Sequence, residues 1–154
     1  MGQGELSCQV GKLPAGADPQ AMLRTLVTNL RFTADALARV GLRLLIAPIN
    51  TFDIPGFAFS RTEQALDLLD EVGAGHTWLE YDLHHAQRME GEMAATLSRH
   101  LHRSGHVRLA DNPGRHELGK GVLNNPFCSR TWTELGTRAG WAANVSTPPP
   151  QRRA

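Results

Sequence analysis

Three stretches of this chain run from apolar residues into polar ones, and such junctions are natural places to build chemistry. Leu44 to Ile49 is almost continuously apolar and leads into Asn50, Asp53 and Pro55-Gly56. Thr77-Trp78-Leu79-Glu80-Tyr81-Asp82 ends on a carboxylate. Gly105 to Ala110 opens into Asp111-Asn112-Pro113-Gly114-Arg115. A carboxylate at the mouth of a buried strand can hold a hard divalent cation or move a proton. At the mouth of the first stretch that position is Ala47, which can do neither. Considered alone, Asp53, His85 and Arg115 read as solvated loop residues, and Asp82 reads equally well as a cap for the turn that follows it. His76, His84, His100, His102, His106 and His116 show no convincing zinc spacing, and His100 and His102 are expected at the surface.

The elements that must position these residues are legible from punctuation and period. Leu6 to Val10 reads as a short strand ended by Gly11. Asp18-Pro19 is a helix start, with Asp as cap and Pro at the first position. Leu23, Leu26, Leu30, Ala34 and Leu37 then recur at helical steps until Gly41. Leu44 to Ile49 has the unbroken apolar character of a parallel strand covered on both faces. A helix is predicted over Ser60 to Val72 with Thr62 as its cap, then a strand over Thr77 to Asp82. A further helix is predicted from Met89 to His102, then a strand from Gly105 to Ala110. Strands alternating with helices over short connections imply a parallel sheet with right-handed crossovers. Four strands are too few to close a barrel of eight.

Composition narrows the function classes. At 154 residues with 41% hydrophobic content, the chain suits one domain with a real core. A formal charge of +1 gives no case for a nucleic acid or membrane partner. Cys8 and Cys128 make neither a disulfide framework nor a metal motif. No apolar run approaches the ~20 residues of a membrane span, and no targeting signal is visible, so a cytoplasmic location is expected.

Three longer strings are more specific than this. Pro48-Ile49-Asn50-Thr51-Phe52-Asp53-Ile54-Pro55-Gly56-Phe57, Tyr81-Asp82-Leu83-His84-His85-Ala86-Gln87-Arg88-Met89-Glu90-Gly91-Glu92 and Gly105 to Arg115 occur in this order. From about Ser7 to Phe127 the chain resembles the hydroxypyruvate isomerases. These are xylose isomerase-like TIM barrels, close to the 2-oxo-tetronate isomerases. The resemblance implies an α/β fold, a partial (β/α)8 barrel holding about strands 4 to 7, with the first three strands lacking. Residues 128–154 carry no such resemblance. With freely chosen codons, Cys128 to Asn144 can be read in another frame as LFAHLDRTGYAGWVGCE, which resembles the family's last helix and eighth strand. The tail is therefore read as out of frame, and is expected to be disordered and unpacked.

The resemblance also implies an aldose–ketose type isomerisation of hydroxypyruvate to tartronate semialdehyde, with two glutamates as acid and base. It implies Mg²⁺ or Mn²⁺ held by a Glu, Asp, Gln, Glu set. In this chain the first glutamate falls at Ala47, the aspartate at Asp82, the glutamine at Arg108, and the last glutamate in the out-of-frame tail. Asp82 is the one metal ligand carried over. His85, Asp53 and Arg115 match substrate-binding positions, for a small 2-oxo or hydroxy acid. The expectation is a chain without intact catalytic groups and with no bound metal, inactive as an isomerase. The alternatives are a non-catalytic half-barrel module that self-associates through open sheet edges, or a pseudogene product.

Overall fold

The computed structural model describes residues 4–134 and 140–146. Its strands are β1 (Gly4–Cys8), β2 (Leu42–Ile46), β3 (Thr77–Asp82), β4 (Ser104–Leu109) and β5 (Gly140–Ala143). The helices are α1 (Pro19–Arg39), α2 (Thr62–Val72), α3 (Leu83–Met89), α4 (Met93–His100) and α5 (Asn125–Glu134), with a 3₁₀ turn at Leu101–Arg103. All neighbouring strands pair in parallel, in the order β1-β2-β3-β4-β5. The expected partial α/β barrel is what forms, with one strand more than the sequence suggested.

The core lies between the sheet and its helices. Leu44, Ile46, Leu79, Tyr81, Val107 and Leu109 alternate along β2, β3 and β4 and point toward the helices. Val27, Leu30 and Ala34 of α1 and Ala65, Leu68 and Leu69 of α2 meet them there. The start of α1 follows its signal: the Asp18 side chain accepts from the Gln20 N–H at 2.9 Å. Thr62 is not the cap of α2. It occupies the first helical position, and Gln64 Oε1 accepts from the Ser60 and Arg61 N–H groups while Glu90 Oε1 accepts from that of Thr62. A carboxylate from a later element does what a local hydroxyl was expected to do.

The opposite, concave face of the sheet is polar, and it curls until distant strands touch. Glu5 of β1 pairs with Arg43 of β2 and lies 2.9 Å from His106 Nδ1 of β4. The Ser7 hydroxyl of β1 donates to Glu80 of β3. A bulge helps the curl, because the β3–β4 register shifts between Leu79 and Glu80 and leaves Gly105 unopposed. A Cβ at Gly105 would stand 2.8 Å from Leu45 Cδ2 and 2.9 Å from Trp78 Cβ, so this crossing needs a glycine.

The segment after Phe127 departs from expectation. Cys128 is buried in the core, and Gly140–Ala143 pairs with His106–Leu109. Where an unpacked tail was expected, Asn125–Glu134 is helical and Gly140–Ala143 is a paired strand. The physical reason is that β4 offers a row of backbone donors and acceptors that a proline-free segment can satisfy through its main chain. Residues 135–139 and 147–154, including Thr147-Pro148-Pro149-Pro150, lie outside the described residues. No helix among the described residues is long and apolar enough to cross a membrane.

Candidate active site

The carboxyl ends of the strands surround a cavity of about 140 Å³. Asp53, Asp82, His85 and Arg115 all line it, as do Ala47 and Arg108. Every site position derived from the sequence therefore converges on one place.

Asp82 ends β3 and starts α3. Its Oδ1 accepts from the backbone N–H groups of His84 (2.9 Å) and His85 (3.3 Å), the cap geometry that the sequence left open. Its Oδ2 accepts from Arg115 Nη2 at 2.9 Å. Arg115 reaches this position from a left-handed backbone, φ 57°, which a long side chain adopts only when its surroundings hold it there. Asp111 anchors the loop that carries Arg115. Its fully buried carboxylate accepts from the backbone N–H groups of Asn112, Gly119, Lys120 and Leu123. Burial alone would raise the Asp111 carboxyl, but the backbone N–H groups of Gly121, Leu123, Asn112 and Gly119 outweigh it and hold the group below its ordinary value.

A second network closes the cavity from the β2 side. Asn50 is fully buried, and its Oδ1 accepts from the Asp53 N–H at 2.8 Å. Its Nδ2 donates to Asp53 Oδ2 at 2.8 Å and faces His85 Nδ1 at 2.6 Å. His84 Nε2 and Arg88 Nη1 complete the shell of Asp53 at 3.0 and 2.5 Å. Burial opposes the charged form of Asp53, yet Asn50, His84 and Arg88 together lower its pKa. Asp53, His84 and His85 lie close enough to suggest an ion site. Several of these atoms already accept hydrogen bonds: Asn50 donates to His85 Nδ1 and Asp53 Oδ2, and Arg88 donates to Asp53 Oδ1.

Burial lowers the pKa of His85 to about 4, Asp82 opposing and Arg115 reinforcing the shift. A histidine depressed in the folded state gives stability that is full above its unfolded pKa, about 6.5, and is lost as pH falls toward about 4. The urea midpoint is therefore expected to drop between pH 7 and pH 5, and His85→Gln should flatten that slope. A slope of equal steepness in His85→Gln contradicts the assignment.

Two lining residues, Glu80 and Asn144, and one residue behind them, His84, escaped the sequence reading. Glu80 is fully buried, holds the Ser7 hydroxyl and pairs with Arg108 Nε. It shares a face with Trp78 and Asp82, so strand alternation was the signal available for it. His84, set aside with the other histidines, is almost fully buried and bonds Asp53. Asn144 follows β5; with its amide oxygen turned toward the arginines it accepts from Arg115 Nη2 at 3.0 Å and Arg108 Nη1 at 3.1 Å. His100 is also less exposed than expected, facing Glu63 at 3.0 Å.

A family model for xylose isomerase-like TIM barrels matches residues 1–153. The chain belongs to that family. It is 46% identical over 141 residues to the hydroxypyruvate isomerase of Escherichia coli (strain K12), covering 92% of this chain and 54% of the relative. It is 36% identical over 141 residues to a 2-oxo-tetronate isomerase of Cupriavidus necator, again covering 92% and 54%. The crystal structure of an AP endonuclease, family 2, from Brucella melitensis superimposes with TM-score 0.85 at 29% identity, covering 92% of this chain and 54% of that one. The chain spans about half the length of the curated relatives it matches. The family match also runs past Phe127, where the motif resemblance was placed as ending.

The divalent ion implied for such barrels does not fit the residues at this site. Ala47 supplies no ligand atom, and Arg108 projects a permanent cation into the seat. Asp82 is taken up by its two cap donors and Arg115, and the oxygen of Asn144 by both arginines.

Proposed function

We propose that this chain keeps the acid-holding part of a hydroxypyruvate- or 2-oxo-tetronate-type isomerase and binds a small 2-oxo or hydroxy acid without isomerising it. Such an isomerisation takes a proton from one carbon and returns it to the next, so it needs an acid and a base on either side of the substrate. The observation that carries this reading is Ala47, buried at the mouth of β2 with its side chain on the cavity and no titratable group. The carboxylates that remain are committed to partners: Glu80 to Arg108, Asp82 to Arg115, Asp53 to Arg88 and His84. His85 Nδ1 is turned to Asn50 rather than to substrate.

Each missing acid or base is worth roughly 10²–10⁴-fold in rate. Purified chain is expected to convert hydroxypyruvate to tartronate semialdehyde no faster than buffer, with or without Mg²⁺ or Mn²⁺. Metal-dependent turnover that Asp82→Asn abolishes would overturn the proposal.

A further inference from the structure

We infer that Arg108 and Arg115, joined through Asn144, form a carboxylate-binding pair where a divalent cation would otherwise sit, so that this pocket takes its acid without metal. The inference rests on the reading that the pocket holds a small 2-oxo or hydroxy acid, and it names how the acid is held.

The placement of Arg108 is fixed by the sheet. It is the register partner of Asp82 in β4, and its Nε is held by Glu80, a fully buried carboxylate on the next strand. A surface arginine swings freely, whereas this one has a buried counter-ion that aims it at the cavity. Arg115 approaches from the loop after β4, aimed by Asp82 and by its left-handed backbone. The two guanidiniums meet at one oxygen, since Asn144 accepts from Arg115 Nη2 at 3.0 Å and Arg108 Nη1 at 3.1 Å. An oxygen shared between two guanidiniums is also how a carboxylate oxygen would be held.

Charge balance permits this. The cavity carries three carboxylates, and each is matched by a guanidinium: Asp53 by Arg88, Glu80 by Arg108, Asp82 by Arg115. An entering cation would meet arginine N–H groups, and an entering carboxylate would meet donors. Arg115 Nε is buried with no partner among the described residues, a vacancy that an acceptor from a bound acid would fill. Arginine stays protonated at any working pH, so the site needs no titration to be ready.

The probe is oxamate, a planar 2-oxo monocarboxylate, titrated into ¹⁵N-labelled chain while the Nε–H signals of Arg108 and Arg115 are followed. Saturable shifts of both signals are expected in the presence of EDTA, with unchanged affinity when Mg²⁺ replaces EDTA. Arg115→Gln is expected to weaken binding roughly 10- to 100-fold, the value of a charge-assisted hydrogen bond. The double variant Glu80→Gln/Arg108→Gln removes both members of the buried pair, and should weaken binding to a similar degree while keeping a folded spectrum. Binding that requires Mg²⁺, or a folded variant of either kind with wild-type affinity, overturns the inference and leaves the acid-holding reading standing. Absence of oxamate binding with both EDTA and Mg²⁺ overturns the two together.

Discussion

Replacing Arg108 by alanine is expected to cost about 3–5 kcal/mol of stability, a fall in Tm of roughly 6–20 °C for a chain of this size. The reason lies in Glu80. Its side chain has no solvent exposure, and its partners among the described residues are the Ser7 hydroxyl and Arg108. Removing the arginine strands a buried carboxylate with one neutral donor, which is the situation in which breaking an ion pair is most damaging. Removing both charges is different, because a neutral amide at position 80 has a far smaller desolvation cost than an unpaired carboxylate. Glu80→Gln on the Arg108→Ala background should therefore recover most of the loss. A double-mutant cycle by urea denaturation measures the coupling directly. If Arg108→Ala were as stable as the parent chain, the buried pair would not be the anchor described above.

The second large effect is expected at Asp111. Asp111→Ala removes an acceptor shared by several backbone N–H groups, among them those of the buried residues Asn112 and Leu123. Losing an acceptor at a buried donor costs about 1–3 kcal/mol, so these two give roughly 2–6 kcal/mol. The consequence should concentrate in the loop from Asn112 to Leu123. Hydrogen exchange at Gly119, Lys120 and Leu123 is expected to accelerate well before exchange in β3. The same contact has a pH signature. The Asp111 carboxyl is held below its ordinary value, so its stabilisation is complete above the unfolded aspartate pKa of about 3.9 and fades as pH falls through the lower folded value. Unchanged exchange in Asp111→Ala would show that the loop is held by other contacts. Because this loop carries Arg115, its loosening should also broaden the Arg115 Nε–H signal.

Much of the fold was readable because its signals are local. Thr77–Asp82 forms a strand with the expected ends, and the leucine stripe from Leu23 to Leu37 lies within α1. What stayed hidden depends on contacts made across the chain. His84 and His85 read as a connection, yet α3 forms there because the Asp82 carboxylate collects their backbone N–H groups. Nothing local marks Glu80 as a site residue, because its counter-ion Arg108 comes from the following strand. β5 was invisible for another reason: edge pairing is made by main chain, so Gly140-Trp141-Ala142-Ala143 needs no clear period to join β4. Asp53, Asp82, His85 and Arg115 were recognised by likeness to a family rather than by their own pattern. The structure assembles them around one cavity, with Arg108 among the residues that line it.

The contact between Glu5 and His106 joins residues 101 positions apart, while each strand of the sheet pairs with the strand next in sequence. Those two facts order the assembly of the chain. Neighbouring strands can dock one after another, since none must be threaded between two already paired. The Glu5–His106 contact spans four strands and closes the longest loop of these pairings, so its entropy must be met before it gives anything back. It belongs to the end of folding rather than to the nucleus. Contacts of that kind leave the rate of folding almost untouched and act on the rate of unfolding. The polar lining of the concave face thus governs how long the curled sheet lasts once formed, not how quickly it is found.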